Sequence, residues 1–197
     1  MKIEYEATYL NIEKKEIRSR LKKVGATLVQ KEFLMKREVF DLPSGHKLPG
    51  GFLRVRDEGN KITLSLKIVK GGKISSQRET CFVINNFKEG TELLSALGCR
   101  RKAYQETKRE LWLLDDVEIT IDEWPYLEPY VEVEGRSEAA VKKVSQKLGF
   151  DYKKALFCSA DALYQKKYGV SRHFINFELD RLTFKDPNPF LKICLKN

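Results

Sequence analysis

Several features that mark common protein classes are missing from the 197-residue sequence. No stretch approaches the roughly 20 apolar residues that a bilayer-spanning helix requires. The N-terminal segment MKIEYEATYL alternates apolar and charged residues, so it lacks the apolar core of a signal peptide. We therefore expect a cytoplasmic protein without a membrane partner.

Residues that bind zinc or form disulfides are also scarce. The four cysteines are scattered singly, at Cys81, Cys99, Cys158 and Cys194. Without a CxxC pair they are interpreted as reduced thiols. The two histidines, His46 and His173, are far apart and have no ligand-like neighbours, which argues against a zinc site and a serine–histidine triad. The phosphate-binding patterns GxxxxGK[ST] and GxGxxG are absent as well.

Positive charge, in contrast, is abundant. The chain has 37 Lys and Arg against 28 Asp and Glu, a net charge of +9. Such a balance suits an anionic partner, namely nucleic acid, a membrane surface or a phosphorylated small molecule. Much of the lysine lies in helical stretches such as KKEIRSRLKK, where a solvated helix face is the simpler interpretation.

Alternating apolar and polar residues predict a sheet-rich chain. Strands are predicted over residues 2–9, 51–57, 61–69, 73–83, 101–114, 117–123 and 130–134, with weaker candidates at 27–32 and 36–41. Leu114-Asp115-Asp116 is interpreted as a hairpin turn. Many strands with few helices indicate an α+β fold with a mostly antiparallel sheet.

Four helices are predicted between the strands. The first is capped by Asn11 and ends at Gly25, and the third is capped by Ser137 and ends at Gly149. The second covers residues 87–97 and the fourth about 159–168. The glycine-rich stretch 43–51 is interpreted as a mobile loop, with a lid as one role. From Val170 the periodicity is lost, so residues 170–197 are expected to be an extension packed on a domain of residues 1–169.

The polar faces of several strands carry pairs of like charge. Side chains two positions apart share a face, which groups Glu4 with Glu6, Arg54 with Arg56, and Glu132 with Glu134. The same rule groups Lys67 with Thr63 and Ser65, and Glu118 with Asp122. A sheet with one face in water would show this alternation too. Like charges repel, however, unless something between them neutralises the field.

About eight strands are enough for the sheet to close and so avoid open edges. A closed sheet with charges inside would be a polar tunnel that is costly to desolvate without a ligand. A polyphosphate with its metal ion satisfies both charge types. Arginines and a lysine would hold phosphate oxygens, while Glu4, Glu6, Glu132 and Glu134 offer the hard oxygen ligands that suit Mg²⁺ or Mn²⁺.

The same residues resemble the CYTH family, which includes class IV adenylyl cyclases and thiamine triphosphatases and belongs to the triphosphate tunnel metalloenzymes. The resemblance covers residues 1 to about 169. It is carried by Glu4-Tyr5-Glu6, where the family has ExExK, by FLRVRDEG at 52–59, by ITLSLK at 62–67 and by ITIDEWPYLEPYVEVEG at 119–135. Four parts in the right order make the match specific.

The resemblance implies an eight-stranded antiparallel β-barrel, the triphosphate tunnel, with helices packed outside. It implies metal ligands at Glu4, Glu6, Asp122, Glu132 and Glu134. It implies triphosphate contacts at Arg54, Arg56, Lys67, Arg78 and Arg109. Alternation alone leaves open whether Lys108 or Arg109 points inward, and the family pattern favours Arg109.

The sequence departs from the family pattern at Thr8, which replaces the lysine of ExExK. In hydrolytic relatives that lysine is thought to activate or position the attacking water, and threonine is neither a cation nor a good base. Lys36 and Lys47 are candidates for a substitute. The catalytic residue is therefore left unassigned.

Three functions fit these patterns. The leading hypothesis is metal-dependent hydrolysis of a small-molecule triphosphate, which includes inorganic triphosphate, a nucleoside triphosphate and thiamine triphosphate; an RNA 5′-triphosphate end is a further candidate. The second is an adenylyl cyclase that forms cyclic AMP and pyrophosphate from ATP. The third, without catalysis, is a polyphosphate or nucleotide sensor. No RNA-recognition or helix-turn-helix pattern supports a nucleic-acid-binding module. A monomer or homodimer is expected.

Overall fold

Eight antiparallel strands pair in a closed ring in the computed structural model, which describes residues 1–191. The order around the ring is β2-β3-β4-β5-β1-β8-β7-β6, and pairing of β2 with β6 closes it. The strands are β1 Lys2–Tyr9, β2 Thr27–Phe40, β3 Gly51–Asp57, β4 Ile62–Val69, β5 Gln77–Ile84, β6 Arg101–Leu114, β7 Val117–Glu123 and β8 Tyr130–Gly135. The predicted α+β barrel is confirmed.

The helices lie outside the barrel. They are α1 Lys14–Lys23, α2 Phe87–Ala96, α3 Glu138–Lys147 and α4 Ala160–Tyr168, with a 3₁₀ turn at Tyr152–Lys154 and a π-helical turn at Phe174–Glu178. A two-residue strand, β9 Arg181–Leu182, runs parallel to β6 beside Tyr104 and Gln105. Within the described residues, no helix is both long enough and apolar enough to cross a bilayer.

Apolar side chains on the outer strand faces pack against the helices. Buried Ile17 and Leu21 of α1 and Val141, Val144 and Leu148 at α3 form one cluster with outward residues of the barrel. That part of the barrel contributes Ala7, Trp112, Val117, Ile119, Ile121, Val131 and Val133. On the opposite wall, Leu94 of α2 packs with Phe40 and Val55. With the apolar faces covered, the charged faces of the strands point inward.

The strand β2 is longer than predicted. Two weak candidates, 27–32 and 36–41, are one continuous strand of 14 residues. Its pairing with β6 shifts register between Leu28 and Gln30, between Gln30 and Phe33, and between Val39 and Phe40. Bulges of this kind disrupt strict alternation in the sequence, which is why periodicity alone divided the strand.

Local chemistry decides several element ends. The strand β5 begins at Gln77 and not at the predicted Lys73, because the Lys73 N–H donates to Ser76 Oγ at 3.0 Å and forms a turn. The hairpin at Asp115 and Asp116 is confirmed, with φ values of 52° and 59° that suit a tight turn between twisted strands. Ser137 caps α3 as predicted.

The predicted cap of α1 is wrong. Asn11 has a left-handed φ of 56° and precedes the helix by two residues, whereas Glu13 occupies the cap position without a side-chain hydrogen bond. Asn11 instead serves the sharp turn that follows β1, since asparagine tolerates the left-handed region better than most residues.

The chain after α4 packs against one end of the barrel. Val170, Ile175, Leu182 and Phe190 form a buried cluster with residues of the β7–β8 connection and of α4, namely Trp124, Tyr130, Leu163 and Tyr164. Tyr164 donates its hydroxyl to the Pro125 carbonyl at 2.7 Å. The division into residues 1–169 and an extension of 170–197 stays a prediction, and Cys194 lies outside the described residues.

The packing of α2 generates a stability prediction. Leu94 is 3% exposed, whereas its neighbour Leu93 is 54% exposed. We expect Leu94→Ala to lower the free energy of unfolding by about 2–4 kcal/mol, because it removes buried methyl groups and leaves a cavity. Urea unfolding measures this, with Leu93→Ala as a matched control that changes stability by less than about 1 kcal/mol. Equal effects of the two variants would contradict the packing described.

Candidate functional site

The barrel encloses a cavity of about 720 Å³. Charged side chains from all eight strands face it. Its acidic residues from the strands are Glu4, Glu6, Glu79, Glu118, Glu132 and Glu134, and its basic ones are Arg37, Arg54, Arg56, Lys67, Lys102 and Arg109. Eight of the ten residues predicted to bind metal or triphosphate therefore line one cavity.

The glutamates of β1 and β8 form an acidic wall. The two strands pair so that Glu6 lies opposite Glu134 and Thr8 opposite Glu132. Glu6 is 8% exposed, and its Oε1 accepts a hydrogen bond from Gln77 Nε2 at 2.9 Å. Neighbouring strands thus bring together two pairs of carboxyl groups that are more than 120 residues apart in the sequence.

Crowding perturbs the carboxyl groups of this wall. Burial, a hydrogen bond with Glu79 and the nearby Glu134 raise the pKa of Glu4 to about 8. Burial and the charge of Glu6 raise the pKa of Glu134 to about 7. The pKa of Glu132 is raised too, by burial and by the charges of Glu6 and Asp122. Each group would be stabilised in its charged form by an added cation.

Arginines of β2, β3 and β6 form a basic wall. Arg37 and Arg56 lie opposite each other in the β2–β3 ladder, and Arg54 is two positions from Arg56. Arg56 binds Glu58 through Nε at 2.9 Å and Nη2 at 2.7 Å. Although burial disfavours its charge, Arg109 has a raised pKa because it contacts Asp122 and Glu132. The basic wall holds positive charge in a site shielded from water.

Ion pairs join charged side chains of strands that are separated by one strand in the ring. Lys67 Nζ lies 2.9 Å from Glu4 Oε2, and Arg109 Nη2 lies 2.9 Å from Glu132 Oε2. Arg54 Nη2 binds Glu79 Oε1 at 2.8 Å. These contacts stabilise the buried charges mutually. A bound phosphate group would take the place of the glutamates as partner of the basic side chains, and a bound cation would take the place of the basic side chains as partner of the glutamates.

Sequence reasoning missed Arg37, a prominent cation of the cavity. The side chain is 8% exposed, its Nη2 donates to Thr107 Oγ1 at 3.1 Å, and its guanidinium carbon lies 4.4 Å from the Trp124 ring centre. Burial and the charges of Arg54, Arg56 and Arg109 lower its pKa to about 9. Arg37 shares the inner face of β2 with Phe33 and Val39, which are apolar, so no pair of like charges two positions apart marked it in the sequence.

Other predicted residues lie elsewhere. Asp122 is 1% exposed and does not line the cavity; its carboxylate binds Arg109 Nε at 2.7 Å. Although burial raises it, the pKa of Asp122 is lowered overall by Arg109. Arg78 is exposed, because it alternates with Gln77 and Glu79, which point inward. The predicted roles of Asp122 and Arg78 stay predictions.

The candidates for the catalytic position are also separated. Thr8 is 1% exposed and shares the inner face of β1 with Glu4 and Glu6. Lys36 is exposed on the outer face of β2, next to inward-facing Arg37, and Lys47 is exposed in the loop between β2 and β3. Neither lysine lines the cavity. Their assignment as substitutes for the lysine that the family has at the position of Thr8 stays a prediction.

The donor set of the acidic wall fits a hard divalent cation. It consists of carboxylate oxygens, the ligands that Mg²⁺ and Mn²⁺ prefer. As arranged here, no group of three or more His, Cys, Asp and Glu within residues 1–191 is clustered closely enough to hold a metal ion. Burial and neighbouring carboxylates nevertheless raise the pKa of Glu4, Glu132 and Glu134, and a cation bound between these groups would offset their repulsion.

Sequence comparison identifies the class. The CYTH domain family matches residues 2–164, so the chain belongs to the CYTH domain family of the triphosphate tunnel superfamily. Members of this family are metal-dependent triphosphatases or adenylyl cyclases. No curated protein sequence matches the chain.

Solved structures share the fold at low sequence identity. The PH1012 protein of Pyrococcus horikoshii is 18% identical, with a TM-score of 0.64 over 78% of this chain and 94% of its own. A candidate adenylate cyclase of Vibrio parahaemolyticus is 16% identical, with a TM-score of 0.60 over 100% and 99%. A candidate adenylyl cyclase of Hippeastrum with a dominant triphosphatase activity is 16% identical, with a TM-score of 0.58 over 85% and 96%.

The acidic wall generates a pH prediction. The pKa values of about 8 for Glu4 and about 7 for Glu134 lie above the 4.5 of an unperturbed glutamate. The folded state therefore binds these protons more tightly than the unfolded chain, so their contribution to stability is present below about pH 4.5 and is lost as the pH rises through 7 to 8. We expect the melting temperature in EDTA to fall over this window and Glu134→Gln to reduce the fall.

Glu92→Gln on α2 is the control for this measurement, because Glu92 is exposed and far from the cavity wall. Its melting temperature should follow the same pH profile as the unmodified protein. A Glu134→Gln profile that also matched the unmodified one would show that Glu134 does not titrate in this window.

Proposed function

We propose that the protein hydrolyses a triphosphate-containing small molecule inside the barrel in a metal-dependent reaction. The observation that carries this proposal is the arrangement of the cavity, where a wall of arginines faces a wall of glutamates. A polyphosphate chain with a divalent cation complements both walls at once. The dominant triphosphatase activity of the Hippeastrum relative supports the choice of hydrolysis.

The basic wall would bind the phosphate chain. Guanidinium groups of Arg37, Arg54, Arg56 and Arg109 present planar forks of N–H donors that match phosphate oxygens, and the Lys67 ammonium adds a compact charge. Phosphoryl transfer depends mainly on positioning and on stabilising the charge that spreads over the transferred group. Fixed cations in a cavity shielded from water serve this purpose because they need no reorganisation during the reaction.

The acidic wall would hold the metal ion. Glu4, Glu6, Glu132 and Glu134 are the residues that would supply its oxygen ligands. Mg²⁺ or Mn²⁺ bound there would neutralise phosphate oxygens as a Lewis acid. Glu4 and Glu132 are also held by Lys67 and Arg109, which orient the two carboxylates towards the cavity before any ligand enters.

Cyclisation of ATP is the alternative, favoured by the fold shared with the Vibrio parahaemolyticus candidate adenylate cyclase. Both reactions require the same walls, and they differ in the nucleophile. Thr8, which is buried, stands where the family has a lysine. A third candidate function is therefore that of a sensor, in which the cavity binds triphosphate without turnover.

Product analysis by phosphorus NMR tests the proposal. Purified protein is incubated with Mg²⁺ or Mn²⁺ and with either ATP or inorganic triphosphate. We expect orthophosphate from at least one substrate and no turnover in EDTA. Glu132→Gln combined with Glu134→Gln should abolish turnover, because two of the proposed metal ligands lose their charge.

Each other product has a definite meaning. Cyclic AMP and pyrophosphate from ATP would establish the cyclase in place of the hydrolase. Metal-dependent binding without any product would establish the sensor. Full turnover by the double glutamine variant would show that the metal ion is held elsewhere.

The basic wall yields a binding prediction. Arg54→Ala combined with Arg56→Ala should weaken inorganic triphosphate binding by about a hundredfold or more, because two charge-assisted contacts of about 1.5–3 kcal/mol each are lost. Isothermal titration calorimetry in the presence of Mg²⁺ measures the affinity. The removal of both arginines also leaves Glu79 and Glu58 without their partners, so folding is checked by circular dichroism.

Arg136→Ala is the matched control, because Arg136 is an exposed arginine that follows β8 and does not line the cavity. Its affinity for triphosphate should stay within about twofold of the unmodified protein. Unchanged affinity of a folded Arg54/Arg56 variant would contradict the proposed phosphate contacts.

A further inference from the structure

The cavity wall changes character towards one end of the barrel. This end, called the upper mouth, is formed by the last residues of β1, β2, β4 and β7 and the first residues of β3, β5, β6 and β8. On three neighbouring strands, β2, β3 and β4, the inner row changes from a charged to an apolar side chain towards this end. The row passes from Arg37 to Val39 on β2, from Arg54 to Phe52 on β3, and from Lys67 to Val69 on β4.

Further apolar or aromatic residues lie at the upper mouth, beside the charged Asp41 and Lys102. Ala103 of β6, Trp124 after β7 and Tyr130 of β8 line the cavity there. Trp124 and Tyr130 also belong to the buried cluster beneath the C-terminal segment, so core packing accounts for them. Phe52 belongs to none of the hydrophobic clusters formed by the described residues. Its ring therefore contributes to the cavity and not to the core.

The segment after α4 places a second aromatic ring at this mouth. Phe177, in the π-helical turn, lines the cavity although it is 54% exposed. Its ring lies under Lys102 Nζ at 4.4 Å and stacks on His173 with centroids 4.9 Å apart. Asp161 fixes this segment on α4 by accepting hydrogen bonds from Arg172 Nε at 2.7 Å and Asn176 Nδ2 at 2.8 Å. The exposed ring is thus held in place.

Side-chain amides complete the upper mouth. Gln105 and Asn176 both line the cavity, next to β9 and in the π-helical turn respectively. Amide groups offer both a donor and an acceptor, the pattern that pairs with the edge of a nucleobase. The opposite mouth differs, because among the described residues it carries Gln30, Glu58, Asn60, Lys61 and Glu118 together with Val29, Leu111 and one aromatic ring, Phe33.

An inorganic polyphosphate, which is charged along its whole length, gains nothing from apolar rings beside the charged walls. A triphosphate that carries a planar organic group gains from both regions, since base–aromatic stacking adds to phosphate binding. We propose that Phe52 and Phe177 form a subsite for the base of a nucleoside triphosphate and so determine substrate choice. This inference rests on the proposed function for the phosphate end of the ligand.

Binding affinities for ATP and inorganic triphosphate test the subsite. Calorimetry with Mg²⁺ is performed on the unmodified protein and on Phe52→Ala and Phe177→Ala. Each variant should bind ATP about tenfold more weakly, the loss expected from one stacked base, and should keep its affinity for inorganic triphosphate. Phe82→Ala, which removes an exposed ring outside the cavity, should change neither affinity.

Other outcomes overturn the subsite. Unchanged ATP affinity in both variants, or an equal loss for both ligands, would show that the rings do not select the base. A selective loss of ATP binding in Phe33→Ala instead would place the base at the opposite mouth. Thiamine triphosphate, tested in parallel, would overturn the assignment to a nucleobase if it alone depended on the two rings.

The design separates this inference from the proposed hydrolysis. Selective loss of ATP binding by a protein that turns over neither ligand would support the subsite and reject the hydrolase. Turnover of inorganic triphosphate, with ATP affinity unaffected by either variant, would support the hydrolase and reject the subsite. Failure of the unmodified protein to bind either ligand would reject both.

Discussion

Burial of opposite charges inside a closed sheet is the constraint on which this structure depends. Closure removes the sheet edges, but it also removes water from the inner strand faces, where an isolated charge would be severely destabilised. The pairs Lys67–Glu4, Arg54–Glu79 and Arg109–Asp122 meet this constraint within the described chain. Removal of one partner of such a pair would leave its counterpart buried and unpaired, which costs more than the pair itself contributes. The inner charges thus lower the stability of the fold, and binding of a ligand that engages both walls would explain why they are present.

Strand register fixes which charges meet. Because side chains alternate across a strand, a slip of β1 by one residue along β8 would turn Glu4 and Glu6 outward and bring Tyr5 and Ala7 into the cavity. The apolar outer faces prevent such a slip, since Ile119, Val131 and Val133 are fully buried beneath α1 and α3. Hydrophobic packing outside the barrel therefore holds the polar geometry inside it. The helices contribute to the site through this packing, although few of their side chains line the cavity.

Alternation in the sequence was sufficient to predict most of this arrangement. The rows Glu4–Glu6, Arg54–Arg56 and Glu132–Glu134 were assigned to the inner face because their strands are regular, and each strand has its predicted start. Arg37 was missed because its inner-face neighbours Phe33 and Val39 are apolar, so no pair of like charges two positions apart marks it. Arg78 illustrates a different limit of the sequence analysis. Its predicted contact with triphosphate came from family resemblance, whereas its position between Gln77 and Glu79 turns the side chain outward. The contribution of Phe177 was beyond pattern analysis, because it depends on the contact of a π-helical turn with β6, about 75 residues earlier in the chain.

The charged walls and the apolar upper mouth of the cavity correspond to two separate properties, recognition of the phosphate chain and selection of the substrate. On the proposed function, the charged walls would bind a polyphosphate and its cation, features that every candidate substrate shares, so they would hold the reacting group without selecting the molecule. Selection requires contacts to the part of the substrate that differs, and along this barrel such contacts are available where the inner rows become apolar. The upper mouth would also influence whether water or a ribose hydroxyl acts as nucleophile, because the ribose lies between base and phosphates. A base held by Phe52 and Phe177 would fix where that hydroxyl lies relative to the arginines. On this reasoning, the choice between hydrolysis and cyclisation would depend on residues at the upper mouth as well as on the position that Thr8 occupies on the inner face of β1.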